Sequence, residues 1–220
     1  MPDYQVKFAT HAIGRVDFQI RSLLDKQQYA DPAGVAERLG ISSATWPLFG
    51  VVWPSGLILA EIMSRFPIAG KRILEVGCGI AVASIVIHQQ GGDITASDIH
   101  PLAGPFLVKN IALNHFPPIK FQSGNWLTEN PRLGKFDLII GSDVLYESAH
   151  PGLLSRFIAR HSSAEVEVII VDPGRGHHGR FTREMTALGY GHSSAKPTPQ
   201  EAKGAAFKGR VLNYQRKLSG

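Results

Sequence analysis

The stretch Arg72-Ile-Leu-Glu-Val-Gly-Cys-Gly-Ile80 decides the reading of this chain. Residues 73–76 form a short apolar run of the length of a buried strand. Gly77 and Gly79 then let the backbone turn tightly and approach a ligand where a Cβ would obstruct it. Such a turn is weak evidence alone. Its meaning comes from Asp98, which closes a second apolar strand over 93–97, 23 positions beyond Glu75, the separation of two parallel strands joined by one helix. A carboxylate there can accept both hydroxyls of a ribose. The dinucleotide fingerprint G-x-G-x-x-G/A competes for these residues and fails at its last position. Val82 stands where close helix packing around a pyrophosphate asks for Gly or Ala. A nucleoside without a pyrophosphate fits better.

Outward from this unit, strands and helices alternate. Residues 54–66 read as an amphipathic helix begun by Pro54 and stopped before Pro67. Strand 72–76, helix 80–90, strand 93–97, helix 101–114 and strands 119–122 and 136–142 follow, then helix 150–160, strand 165–171 and helix 178–188. Strands near 190–195 and 205–215 finish the chain, across a breaker-rich turn at 197–204. The pattern is that of an α/β fold, a parallel sheet with helices on both faces. In residues 1–30 the apolar positions Val6, Phe8, Ile13, Val16, Phe18 and Ile20 suit short strands or a hairpin about Gly14. Asp31-Pro32 opens a short helix over 32–39, ended by Gly40. Residues 1–45 thus read as an N-terminal elaboration packed on a core of 46–220.

With 220 residues, 44% of them hydrophobic, the chain can bury one substantial core. The single cysteine, Cys78, excludes an intramolecular disulfide and a cysteine-based zinc site. The adjacent His177 and His178 diverge and lack a carboxylate cluster at ligand spacing, so no metal is expected. No apolar stretch is read as approaching the ~18 residues of a membrane span, and the N-terminus shows no apolar signal core. The expectation is a cytoplasmic protein without a membrane. The formal charge of +5 is dispersed, which argues against nucleic acid and suits an acidic protein surface as partner. Oligomeric state is not legible.

In open parallel sheets, ligands sit beyond the carboxyl ends of strands. Glu75 with the glycine loop, Asp98, Ser142-Asp143 and Asp172 all fall there. Trp126 offers an indole face on which a purine can stack. Trp46 reads as core. Asp143-Val-Leu-Tyr146 follows the buried run Phe136-Asp-Leu-Ile-Ile-Gly, so the carboxylate emerges at a strand end, where an unpaired acid would be costly. Arg175 and His177, in a Pro-Gly turn, are candidates for the substrate mouth.

Taken in order, Trp53-Pro-Ser-Gly56, the glycine loop, Asp98, Gly124-Asn125-Trp126, Ser142-Asp143-Val-Leu-Tyr146 and Asp172-Pro-Gly-Arg175 resemble the Rossmann-like, seven-strand methyltransferases that use S-adenosylmethionine. Within that group they resemble the protein lysine methyltransferases carrying a D-x-x-Y signature. The resemblance covers residues 46–190. It implies a mostly parallel seven-strand sheet closed by a C-terminal antiparallel hairpin, with the last strand inserted beside its neighbours. It also implies S-adenosylmethionine as cofactor and S-adenosylhomocysteine as product. Trp53, Glu75, Gly77, Gly79, Asp98, Asn125, Trp126 and Ser142 would form the cofactor site, and Asp143 and Tyr146 the catalytic pair.

A lysine ammonium, with a reference pKa near ~10.4, must lose a proton before it attacks a methyl group. A neighbouring carboxylate stabilises the cation and a sulfonium destabilises it. Asp143 is therefore assigned to binding and aiming the amine, and Tyr146 to walling or hydrogen-bonding the same channel. Two departures from the group stand out: Ala81 where a third glycine is usual, and Asn125 where Asp is familiar. At a positive φ, Ala81 would store strain of roughly 1 kcal/mol. The alternatives are methyl transfer to a small amine or hydroxyl, and a non-catalytic cofactor-binding module that engages another protein.

Overall fold

The structure, a computed structural model, describes residues 4–217. It opens with a hairpin, β1 (Val6–Ile13) and β2 (Val16–Leu23), paired antiparallel about Gly14, whose φ is 60°. The first helix is shorter than Asp31-Pro32 suggests, because both Asp31 oxygens cap it from a distance. Oδ1 accepts the Val35 N–H at 2.8 Å and Oδ2 that of Glu37 at 2.9 Å. Gly34, at φ 61°, absorbs the intervening turn, and α1 covers Val35–Arg38. A 3-10 turn, Trp46–Gly50, then leads into α2 (Pro54–Met63).

The alternating core is as expected in type and order. It comprises β3 (Arg72–Val76), α3 (Val82–Gln89), β4 (Asp93–Asp98), α4 (Ala103–Leu113), β5 (Lys120–Ser123), β6 (Phe136–Ser142), α5 (His150–His161), β7 (Ser162–Asp172), α6 (His178–Ala187), β8 (Gly191–Ala195) and β9 (Arg210–Lys217). The sheet order is β5-β4-β3-β6-β7-β9-β8, parallel except for β9, which runs antiparallel to β7 and β8. Strand order reverses between β3 and β6, so the crevice of such a sheet lies beyond their carboxyl ends.

Alternation along the strands fills two layers. Ile73, Leu138 and Ile140 join the core under α2, α3 and α4, whereas Leu74, Val76 and Ile139 join that under α5 and α6. Two strand boundaries differ from the sequence reading. Strand β7 starts three residues earlier because Ser163, at a register shift, donates to the Phe136 carbonyl and the Asp137 carboxylate, extending pairing to Phe136↔Ser162. Strand β9 starts at Arg210, not 205, because the first register partner on β7 is Asp172.

The membrane reading needs correction. Trp46–Met63, 18 residues with mean hydropathy 1.4, is long and apolar enough by composition to cross a bilayer. It is broken by extended backbone at Val51 and Trp53, and 56% of it is buried in the core.

The hairpin is held by α4 through an amide ladder. Asn110 accepts the Arg21 N–H at 2.7 Å and donates to the Arg21 carbonyl at 3.2 Å; Asn114 repeats this at Gln19 with 2.9 and 2.8 Å. Side chains thus occupy the free edge of β2 as a neighbouring strand would. Asn110 is fully buried. Asn110→Ala leaves two backbone groups unpaired and is expected to cost about 2 kcal/mol in a urea titration. Asn114→Ala, nearer solvent, should cost less.

Candidate active site

The glycine loop joins β3 to α3 through three left-handed residues at alternate positions: Gly77 (φ 57°), Gly79 (φ 54°) and Ala81 (φ 60°). A Cβ at Gly79 would lie 2.7 Å from the Phe49 carbonyl oxygen, and one at Gly77 2.8 Å from a Val144 methyl. Glycine is therefore required twice over at both. Ala81 carries the strain anticipated for a positive φ, about 1 kcal/mol, and is fully buried.

Two carboxylates pin this loop. Asp98 Oδ2 accepts the Gly79 N–H at 2.7 Å, and its Oδ1 accepts the His100 N–H at 2.8 Å. Burial raises the Asp98 pKa while these amides oppose the shift. Glu75 Oε2 accepts both the N–H (2.9 Å) and the hydroxyl of Ser84, tying β3 to the first turn of α3. Burial pushes Glu75 to about 7, against the pull of the Ser84 bonds.

The ten residues assigned to the cofactor site and the catalytic pair all line one cavity of about 370 Å³, within the roughly 300–1,000 Å³ range of small-molecule sites. Trp53 both lines it and anchors the chain, its indole N–H donating to the Leu48 carbonyl at 2.8 Å. Asn125 Oδ1 accepts the Leu127 N–H at 2.9 Å, so the amide spends one acceptor position shaping its own turn. Trp126 stands edge-on to His150, which in turn meets Tyr146 edge-to-face at 4.5 Å. Asp172 and His177 lie outside this lining. Trp46 is core, as expected.

At the end of β6 the chain turns at Asp143, a non-glycine residue with φ 54°, whose N–H continues the sheet by donating to the Val171 carbonyl at 3.0 Å. Strain of this kind concentrates at functional sites. Both Asp143 oxygens are taken by Arg175: Nε donates to Oδ1 at 2.5 Å and Nη2 to Oδ2 at 2.7 Å. The pair raises the Arg175 pKa further above its ordinary value. Tyr146 is 39% exposed, yet burial of its hydroxyl end, with the charges of Asp98, Glu147 and Asp143 behind it, pushes the phenol to about 12.

Several lining residues carried no sequence signal. Phe49 stacks on His100 at 3.7 Å and 12°. His100 is buried with its pKa down at about 3, and Nδ1 accepts the Leu102 N–H, so Nε2 carries the proton and has no partner among the described residues. His150 Nδ1 donates to the Val144 carbonyl at 3.0 Å and so fixes the turn after Asp143. These depend on the 3-10 turn and α5 folding over the sheet, which no local pattern announces.

A loop that needs hydrogen at two α-carbons, a strand-end carboxylate with acceptor capacity to spare and a sheet reversing beside them define a Rossmann-like fold with a nucleoside-sized crevice. Comparison with known proteins agrees. A ribosomal protein L11 methylase from Lactobacillus delbrueckii superposes with a TM-score of 0.58, at 20% identity over 72% of this chain and 77% of that one. Residues 42–185 match the lysine methyltransferase family, and the chain belongs to it. It is 32% identical over 133 residues to the electron transfer flavoprotein beta subunit lysine methyltransferase of Xenopus laevis, covering 59% of this chain and 53% of that protein. The mouse counterpart is 30% identical over 173 residues, 76% of this chain and 67% of that protein. The chain spans about half the length of the first of these relatives.

Proposed function

We propose that this protein transfers the methyl group of S-adenosylmethionine to a lysine side chain of a protein substrate. The observation that carries the reading is the placement of Asp143 on a strained strand end in the same cavity as the glycine loop and Asp98. The residues fit the cofactor. Gly77 and Gly79 leave room against the loop, Asp98 keeps acceptor capacity for ribose hydroxyls beyond its two amide bonds, and the buried His100 N–H lacks an acceptor. Glu75 has Oε1 left to meet a cationic amino group. When bound, the cofactor supplies an electrophilic methyl on a sulfonium.

The chain's own part is positioning. Asp143 holds the incoming ammonium and, after the proton leaves to solvent, keeps the amine collinear with methyl carbon and sulfur; Tyr146 and Trp53 wall the approach. Holding reactants in near-attack geometry can supply about 7–11 kcal/mol of the barrier, so no strong base is required.

The pH dependence of cofactor binding follows from Glu75. Its pKa in the free protein, about 7, falls when a cation binds beside it, because the ionised form is then favoured. Binding therefore releases a proton below about pH 7. Affinity is expected to rise from pH 5.5 to 7 and level off above, and Glu75→Gln should flatten that rise in calorimetry.

The function is tested by incubating the protein with methyl-labelled S-adenosylmethionine and desalted cell extract and resolving products by size. A discrete labelled protein band is expected. Label confined to small molecules would move the acceptor to metabolites, and bound cofactor without any transfer would mark a non-catalytic module.

A further inference from the structure

Among the described residues lining the cavity, Arg175 is the sole lysine or arginine, and its guanidinium takes both oxygens of the carboxylate that the substrate ammonium must reach. We propose that Arg175 sets acceptor specificity by occupying the amine subsite in the free protein, so that only an amine on a partner with further contacts displaces it. The inference rests on the reading of Asp143 as the amine's binding group.

The two ends of the pair differ in a way that makes it an exchange site. The Asp143 side chain is 8% exposed and that of Arg175 40%. An arginine swung outward recovers its hydration, whereas a bare Asp143 stays in a desolvated position and needs another cation. Departure of Arg175 is therefore coupled to arrival of a second positive charge.

The Trp53 ring, 5.8 Å from the guanidinium carbon, braces Arg175 on the side toward α2. Gly174 and Gly176 flank it at φ 95° and 90°, and a Cβ at either would meet nothing within 4 Å. The turn is thus open at both flanking α-carbons, and the arginine side chain between them already reaches solvent. Competition from within lowers apparent affinity in proportion to the fraction of molecules with the site already filled. A free amine has only its charge with which to displace the arginine. A lysine on a folded protein adds surface contacts at the exposed rim formed by Leu39, Leu127 and Tyr146.

Two substitutions test this. In Arg175→Lys the residue at 175 brings its own primary amine to Asp143. Deprotonated, its nitrogen attacks the methyl carbon: the N–C bond forms, the C–S bond breaks with its electron pair passing to sulfur, and the methylated ammonium later releases a proton to solvent. Mass spectrometry should find methyl on the peptide containing position 175, at a rate independent of protein concentration, with S-adenosylmethionine as the only addition. In Arg175→Ala, the subsite is empty. Calorimetry on the S-adenosylhomocysteine-loaded protein, where no turnover occurs, should show a short lysine peptide binding roughly tenfold or more tightly than to wild type.

Unchanged affinity for S-adenosylhomocysteine verifies that each variant is folded. An unmodified position 175, or a peptide affinity that is unchanged or weaker in Arg175→Ala, overturns the proposal. Asp143→Asn separates the two ideas. If it binds the peptide as wild type does, the reading of Asp143 itself fails; if it loses the peptide while Arg175→Ala gains nothing, only the competition by Arg175 fails.

Discussion

Asp143→Ala is expected to lower methyl transfer to protein lysine by about 10²–10³-fold, while the affinity for S-adenosylmethionine changes by less than about threefold. Truncating one partner of a desolvated charge pair typically costs about 2–5 kcal/mol, and each 1.36 kcal/mol is roughly tenfold in rate. That loss falls on the acceptor because the Asp143 carboxylate bonds Arg175 and no part of the glycine loop. Arg175, already 40% exposed, is free to turn to water, so the variant does not strand a buried cation. Asp143→Asn keeps the shape and removes the charge. If charge is what holds the ammonium, it should fall nearly as far as the alanine variant. Single-turnover rates beside calorimetric cofactor binding measure both halves of the expectation.

The second large effect is at Asp98. Asp98→Ala should raise the dissociation constant for S-adenosylmethionine by roughly 10²–10⁴-fold, as two hydroxyl bonds to a charged acceptor contribute about 1.5–3 kcal/mol each. The same side chain holds the Gly79 and His100 amides, so its loss also loosens the loop at its most constrained residue. Asp98→Asn retains shape and one acceptor oxygen and should fall between wild type and alanine. Because burial raises the Asp98 pKa, acidification protonates it sooner than an exposed aspartate. Cofactor binding should then weaken on the acid side. Fluorescence of Trp126 and Trp53, both lining the cavity, reports binding directly.

Much of this architecture is legible in the chain because its information is local. Strand β3 is a short run of Ile73, Leu74 and Val76 about Glu75 before a glycine turn, and β6 is an apolar run ended by Ser142-Asp143, so both are found to the residue. Asp98 is found because it closes a second apolar strand at the separation that one helix between two parallel strands imposes. What stays hidden depends on approach between distant segments. The need for glycine at 79 comes as much from the Phe49 carbonyl, 30 positions away, as from its own φ. The bidentate partner of Asp143 sits 32 residues on, in a Pro-Gly turn that sequence marks only as a mouth. Ala81 shows the limit from the other side: alanine gives no hint of φ 60°, and only the resemblance to a group with a third glycine there raises the question.

The identity of the acceptor atom tests the account most directly. Labelled product from the extract reaction, hydrolysed in acid and separated as amino acids, should carry its methyl on the ε-nitrogen of lysine, and Asp143→Ala should remove that label. Methyl on arginine, histidine or a base-labile ester, or methyl-lysine made equally well without Asp143, would contradict it.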